Sequence, residues 1–129
     1  MKQIGIIGAG ISGLVTAKTF LQKGYQVTIL EKSDEVGGVW EKKRSYVGVT
    51  TQTTRDEYSF SDFPMPTHYP MWPSGAQVQE YLESYAKHFG VMDHIRFGVS
   101  VENMNYDGFH WQVKLNNGEN LSFGYMVIC

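Results

Sequence analysis

The sequence has little cysteine and no excess of either charge, and each shortage excludes a class of protein. Its single cysteine, Cys129, cannot form an intrachain disulfide, which is typical of a reducing cytoplasmic compartment. No apolar run reaches the roughly 18–20 residues of a transmembrane helix, and no signal peptide precedes the first strand-like run. Eleven basic and thirteen acidic residues give a net charge of −2, which provides no positive surface for nucleic acid. We therefore expect one cytoplasmic domain without nucleic-acid or transmembrane features.

A glycine-rich segment near the amino terminus is the most informative motif. Gly8, Gly10 and Gly13 form a G-x-G-x-x-G pattern between a strand-like run over residues 3–8 and a helical pattern over residues 11–22. This context predicts a strand–turn–helix unit that binds a dinucleotide. Gly8 would permit the tight turn, Gly10 would let a pyrophosphate approach the backbone, and Gly13 would let the helix pack against the sheet.

An acidic residue about twenty positions further on completes the pattern. Glu31 directly follows a second strand-like run over residues 25–30, where its carboxylate would accept hydrogen bonds from the adenosine ribose. A carboxylate repels a 2′-phosphate, so the site favours FAD or NAD over NADP, and the fingerprint leaves FAD and NAD both open. Ile11 and Ser12 begin the helix whose free N–H groups would attract the phosphates.

The rest of the sequence divides into an irregular segment and a regular one. Residues 32–73 lack a sustained period, contain all four prolines and are rich in aromatic residues. That aromatic content has two equally good interpretations: the rings fill a small core, or they form a layer that packs around a large flat ligand. Beyond it, Ser74 is a good N-cap for an amphipathic helix over residues 75–89. Short strands follow, over residues 95–97, 99–105, 109–115 and 120–123, joined by the turns Asp107-Gly108 and Asn117-Gly118.

Further motifs carry a resemblance to flavin-containing monooxygenases. Glu31-Lys32 followed by Gly37-Gly38-Val39-Trp40 is similar to the second FAD contact of that family. The segment Phe60-Ser61-Asp62-Phe63-Pro64, the helical run 81–89 and the final run 126–129 resemble the same family, so the likeness extends along the chain. The cofactor-binding residues that the motifs and the resemblance together indicate are Gly8, Gly10, Ile11, Ser12, Gly13, Glu31, Lys32, Gly38, Val39 and Trp40.

The resemblance implies an α/β, Rossmann-like FAD-binding fold, with a parallel sheet, helices and an antiparallel β-meander. A buried strand over residues 125–129 ends where a binding loop would begin, so we expect residues 1–129 to be the N-terminal part of a longer FAD-binding domain. The NADPH-binding region and the rest of the FAD-binding region would lie outside the chain. The intact protein is expected to be an enzyme, and the 129-residue chain alone to be inactive.

The resemblance also implies a reaction. Reduced flavin and dioxygen would form a C4a-hydroperoxide that passes one oxygen atom to a nucleophilic nitrogen or sulfur of a small-molecule substrate. Gln52 aligns with an asparagine that many relatives carry beside the flavin, and it is the catalytic candidate. Arg55 would either neutralise a cofactor phosphate or form a surface ion pair. The four histidines have no metal-ligand spacing, so we expect no metal.

Two alternatives remain open from the residues. The first is another two-dinucleotide flavoprotein, either a reductase or a Baeyer–Villiger oxygenase. The second is a non-catalytic nucleotide-binding module. The oligomeric state is open between a monomer and a homodimer.

Overall fold

The computed structural model describes residues 2–129, which form a parallel sheet with helices and a smaller antiparallel sheet. This confirms the expected α/β fold class with a β-meander. The helices and strands in chain order are β1 (Gln3–Ile7), α1 (Ile11–Gln22), β2 (Gln26–Glu31), α2 (Gly75–His88), β3 (Ile95–Phe97), β4 (Val101–Tyr106), β5 (Trp111–Leu115), β6 (Asn120–Phe123) and β7 (Tyr125–Ile128). No helix within residues 2–129 is long and apolar enough to cross a membrane.

The parallel sheet has the strand order β3-β2-β1-β7. β1 lies inside the sheet, and its consecutive residues Ile4, Gly5 and Ile6 are all buried, as expected for a strand covered on both faces. Helix α1 connects β1 to β2 and buries Leu14 and Ala17. Because β1 and β2 are parallel, their carboxyl ends meet at one edge of the sheet, and that edge carries both the glycine turn and Glu31.

The antiparallel sheet has the order β4-β5-β6 and a core of its own, in which Val113, Leu115 and Phe123 pack with Leu30 at the end of β2. The two predicted hairpin turns are present, with positive φ at Gly108 (100°) and Gly118 (88°).

Two predicted strand starts are wrong by two residues. The strand expected from residue 99 begins at Val101, because the Val99 N–H donates instead to the Glu31 carbonyl oxygen at 3.1 Å. The strand expected from residue 109 begins at Trp111, because the Phe109 and His110 N–H groups donate to the Asp107 carboxylate at 2.9 and 2.8 Å.

Helix α2 has the predicted start and ends one residue earlier than predicted. The Ser74 hydroxyl accepts the Gln77 N–H at 3.2 Å, and the Gln77 side chain accepts the Ser74 N–H at 3.0 Å, which is a capping box. Gly90 follows with φ +70°, as a C-terminal glycine should.

The irregular segment is anchored on α2 by aromatic rings. Five of them form what we call the aromatic clasp: Phe60, Phe63, Tyr81, Tyr85 and Phe89. Ring centroids lie 4.4 Å apart for Phe60 and Tyr85, and 5.6 Å apart for Phe63 and Tyr81. The Tyr81 hydroxyl accepts the Phe60 N–H at 2.9 Å and donates to the Phe63 carbonyl. Tyr81 and Tyr85 are buried in the core, and Phe60, Phe63 and Phe89 pack against that core, so these five residues belong to it and not to the groove.

Candidate functional site

A groove of about 720 Å³ opens where β1 and β2 end. All ten residues that the sequence suggested for cofactor binding line it, from Gly8 to Trp40. The other lining residues are Ile7, Leu30, Gly37, Arg44, Val99, Ser100, Val101, Glu102, Asn103, Met104 and Cys129. Its walls are thus the glycine turn, the end of β2, the turn at residues 37–40 and the start of β4.

Two of the fingerprint glycines have the geometry expected of them. Gly8 has φ +104°, and a Cβ built there would lie 2.7 Å from the Cys129 carbonyl oxygen. A Cβ on Gly13 would collide with the Gly8 carbonyl oxygen. The turn off β1 and the close approach of α1 therefore both require the absence of a side chain.

Gly10 has a second structural task that the sequence did not indicate. A Cβ built on Gly10 would lie 3.4 Å from the Cα of Gly38, and one on Gly38 would lie 3.1 Å from the Cα of Gly10. Beside this contact, the Gly37 N–H donates to the Ala9 carbonyl oxygen at 3.0 Å. Gly10 therefore makes room for the paired-glycine turn, in addition to exposing backbone to a ligand.

The first turn of α1 faces the groove as an open helix N-terminus. Gly10 is the N-cap, so no side chain caps the helix, and the first turn contains no acidic residue. Ile11, Ser12 and Gly13 all line the groove at this point. Free N–H groups and the positive end of the helix dipole make such a terminus a site for anions, phosphates in particular.

Glu31 joins the two loops at the edge of the sheet. It is 5 % exposed, and its carboxylate accepts the Ala9 N–H at 2.7 Å and the Ser33 N–H at 2.9 Å. Its Oε1 lies 3.8 Å from Nη2 of Arg44. Carboxylate oxygens accept more than one hydrogen bond each, so acceptor capacity remains for a ligand hydroxyl. Glu31 is thus a structural tie between β1, β2 and their loops as well as a ligand-binding candidate.

The turn at residues 37–40 is fixed from its outer side. Gly37 and Gly38 have φ +131° and +58°, which only glycine adopts without strain. The Trp40 indole N–H donates to the Tyr58 hydroxyl at 3.0 Å, and the Gln79 amide donates to the Val36 carbonyl oxygen at 3.0 Å. Val39 is left 74 % exposed at the groove.

Two sequence candidates lie away from the groove wall. Gln52 is exposed and is not among the lining residues, so its catalytic role stays a prediction. Arg55 donates from Nη1 to the carbonyl oxygens of Thr67 and Tyr69, both at 2.7 Å, and pairs with Asp56 at 3.1 Å. Of its two expected roles, the structure therefore shows the ion pair.

Sequence reasoning missed one wall and one cation of the groove. Residues 99–104 line it, but their sequence predicts only a short strand. Arg44 lines it as well, yet it lies in the irregular segment outside any motif, and only the fold brings it to Glu31.

A carboxylate cluster behind the same turn was also not predicted. Ligand atoms of Asp34, Glu35 and Glu41 lie within 4.8 Å of one another. Lys43 contacts Asp34 at 2.8 Å and Lys42 contacts Glu35 at 3.6 Å, so exposed lysines neutralise the two outer acids. Among the described residues, the Glu41 carboxylate is buried and has no hydrogen-bond partner.

The parallel sheet, its glycine turn, the open helix end and the acid closing β2 define a Rossmann-like α/β protein of the dinucleotide-binding class. The chain belongs to the flavin-binding monooxygenase-like family, whose model matches residues 1–112.

Curated relatives and solved structures agree with this assignment. The chain is 40% identical over 108 residues to flavin-containing monooxygenase 5 of Rattus norvegicus, which covers 78% of this chain and 20% of that protein. It is also 40% identical over 108 residues to a probable flavin-containing monooxygenase 1 of Arabidopsis thaliana, covering 82% of this chain and 20% of that protein. The chain therefore spans about a fifth of the length of these relatives.

Among solved structures, an S-allyl-L-cysteine S-oxygenase from Allium sativum superposes with a TM-score of 0.90 at 26% identity, over 99% of this chain and 36% of that one. A cyclohexanone monooxygenase from Rhodococcus sp. Phi1, bound to NADP+, superposes with a TM-score of 0.90 at 30% identity, over 99% of this chain and 25% of that one.

Proposed function

We propose that the chain is the FAD-binding, N-terminal part of an NADPH-dependent flavin monooxygenase that oxygenates soft nitrogen or sulfur nucleophiles. The observation that carries the proposal is the single groove lined by all ten expected cofactor residues. Family membership supports it, and so does the likeness to an S-oxygenase.

The groove suits the chemical groups of FAD. The open N-terminus of α1 suits the pyrophosphate, and the free acceptor capacity of Glu31 suits the ribose hydroxyls. Gly8, Gly10 and Gly38 leave backbone where a side chain would fill space. When bound, FAD would supply the oxygen-transfer chemistry that the sequence resemblance implies. The residues of this chain bind and orient it.

The other components of the reaction are proposed from relatives. Solved neighbours include a steroid monooxygenase bound to NADP and a further protein in complex with FAD and NADP, which supports NADPH as the reductant. We propose that the NADPH and substrate regions lie outside residues 1–129, so the chain alone should bind FAD without turnover. Four further expectations stay predictions: a cytoplasmic location, a small-molecule substrate, dioxygen as the second substrate, and a homodimer as the oligomeric state.

One observation favours a second candidate function. The cyclohexanone monooxygenase described above, which is named for a ketone, superposes as well as the S-oxygenase and at higher identity. A Baeyer–Villiger oxygenase, which inserts oxygen beside a ketone, is therefore the alternative.

Cofactor binding is tested on the chain itself. Titration of the purified chain with FAD, followed by flavin fluorescence and calorimetry, should show saturable binding that NAD displaces poorly. Equal affinity for NAD, or no binding of FAD at all, would contradict the proposal. Arg55→Ala is a control outside the groove and should leave the FAD affinity unchanged.

Oxygen transfer is tested through Gln52 in the longer protein. Gln52→Ala should leave FAD bound and NADPH oxidation running, while oxygen transfer falls by roughly 10²–10³-fold, the usual cost of losing one preorganised donor. The lost flux should be released as hydrogen peroxide, and Gln52→Asn should retain more transfer because it keeps the amide. An unchanged ratio of peroxide released to NADPH consumed in Gln52→Ala would make Gln52 an ordinary loop residue.

The two candidate functions are separated by the substrate that the longer protein oxygenates. Oxygen transfer to a thioether but not to a ketone would support the proposed function, and transfer to a ketone would support the Baeyer–Villiger alternative.

A further inference from the structure

The adenosine end of the groove contains a cation that neither motif includes. Arg44 follows the 37–40 turn, and its backbone N–H donates to the Glu41 carbonyl oxygen at 2.8 Å. Its guanidinium lies 3.8 Å from the Glu31 carboxylate and 3.4 Å from the Ser33 hydroxyl. The segment over residues 37–44 therefore approaches the strand–helix–strand unit twice, at Gly10 through the backbone of Gly38 and at Glu31 through the charge of Arg44.

The two charged side chains differ in burial, and the more exposed one, that of Arg44, is the more accessible to a ligand. The Glu31 side chain is 6% exposed, whereas the Arg44 side chain is 36% exposed and lines the groove. A guanidinium has five N–H donors, and the contacts with Ser33 and Glu31 involve only the Nη2 atom. Donors therefore remain available for a ligand bound beside Glu31.

We propose that Arg44 is the cation that balances Glu31 at the adenosine end of the groove and sets how this end responds to phosphate on the ribose. This inference rests on the proposed function, because it takes Glu31 as the ribose-binding acid. A carboxylate alone repels a 2′-phosphate, whereas a nearby arginine attracts one. Arg44 thus reduces the discrimination against a 2′-phosphate that Glu31 would otherwise impose.

The test compares two nucleotides that differ by one phosphate, adenosine 5′-phosphate and adenosine 2′,5′-bisphosphate. Binding to the chain is measured by NMR titration, which reaches millimolar affinities. Arg44→Ala should weaken the binding of both nucleotides. It should weaken the bisphosphate more, so that the ratio of the monophosphate affinity to the bisphosphate affinity rises by about tenfold, the scale of one charge-assisted contact. Arg44→Lys should return the ratio of the two affinities most of the way to its wild-type value, because it restores the positive charge.

Arg96→Ala is the matched control. The Arg96 side chain is also 36% exposed, but it pairs with Glu119 at 2.7 Å outside the groove, so the affinity ratio should not move. If Arg44→Ala weakens both nucleotides equally, Arg44 only supports the loop and the inference is overturned. A larger change in the ratio for Lys32→Ala than for Arg44→Ala would overturn it too.

The outcomes for the inference and for the proposed function are distinct. A wild-type chain that binds neither nucleotide nor FAD overturns the proposed function and this inference together. A wild-type chain that binds all three, with an unchanged ratio in Arg44→Ala, overturns the inference alone.

Discussion

The groove and the aromatic clasp each join irregular chain to regular elements, and they are held together in opposite ways. At the groove, close approach depends on missing side chains, as in the contact between Gly10 and Gly38. At the clasp, close approach depends on large rings, as in the 4.4 Å separation of Phe60 and Tyr85. The groove therefore exposes backbone donors and acceptors, whereas the clasp buries apolar surface.

This difference predicts different consequences of mutation. Removing atoms from the clasp should lower the free energy of unfolding, because buried area and ring contacts are lost. Adding atoms at the groove should change ligand binding first, because the backbone there forms the binding surface. Substitutions in the two regions test this contrast, from the largest expected effect to the smallest.

The first prediction concerns the centre of the clasp. Tyr85 is fully buried and contacts the rings of Phe60, Phe63 and Phe89. Tyr85→Ala should lower the free energy of unfolding by about 3–5 kcal/mol, the usual cost of removing a buried aromatic ring. Denaturant unfolding followed by circular dichroism measures it.

A matched variant at the same position separates the ring from its hydroxyl. The Tyr85 hydroxyl is buried without a hydrogen-bond partner in residues 2–129, and burial raises its pKa. Tyr85→Phe removes this unpaired group and keeps the ring, so stability should be unchanged or increased. A large loss of stability in Tyr85→Phe would show that the hydroxyl, and not the ring, holds the clasp.

The second prediction concerns Glu31, whose carboxylate links the loops that follow β1 and β2 at the groove. Glu31→Gln should weaken FAD binding by roughly 1–3 kcal/mol, since a charged acceptor is lost beside the ribose. It should also lower stability, because the single carbonyl oxygen of a glutamine side chain cannot replace both carboxylate oxygens that accept the Ala9 and Ser33 N–H groups. Calorimetric FAD titration measures the first effect, and denaturant unfolding measures the second.

Glu83→Gln is the control for a general loss of negative charge. Glu83 is exposed and pairs with Lys87 one helical turn away, outside the groove. FAD affinity should not change in this variant. Equal affinities in Glu31→Gln and wild type would remove Glu31 from the binding site.

How much of this contrast the sequence could predict depends on the range of the interactions. Helix α2, its Ser74 cap and the Gly108 and Gly118 turns follow from local patterns, and the structure confirms them. The contact between Gly10 and Gly38 joins two loops distant in sequence, so no local pattern encodes it. The same holds for Arg44, which becomes a neighbour of Glu31 only when the chain folds.

The third prediction compares two glycines that both have positive φ. Gly38→Ala places a Cβ 3.1 Å from the Cα of Gly10, at φ +58°. Gly48→Ala has similar backbone strain at φ +79°, but its Cβ would meet nothing within 4 Å. Both should lose about 1–2 kcal/mol of stability from the left-handed backbone, and only Gly38→Ala should also weaken FAD binding. Equal FAD affinity in the two variants would mean that the approach of Gly10 and Gly38 does not shape the binding surface.

The last prediction concerns the ion pair that joins the two regions. The Lys18 ammonium of α1 lies 2.7 Å from the Asp62 carboxylate and 5.4 Å from the Phe89 ring centre, so it connects the groove helix to the clasp. The hydrogen bond from Lys18 lowers the pKa of Asp62 from its ordinary 3.8. A carboxyl group whose pKa is lowered on folding stabilises the protein at a pH above its unfolded pKa, and this contribution is lost as the pH falls through the folded pKa.

The wild-type melting temperature should therefore fall more between pH 5 and pH 3 than the melting temperature of Asp62→Asn, a range set by carboxyl pKa values of about 4. The effect should be the smallest of the four, because Asp62 is partly exposed and solvent screens the pair. If the melting temperatures of the two proteins fall by the same amount across this range, the Lys18–Asp62 pair contributes nothing to stability.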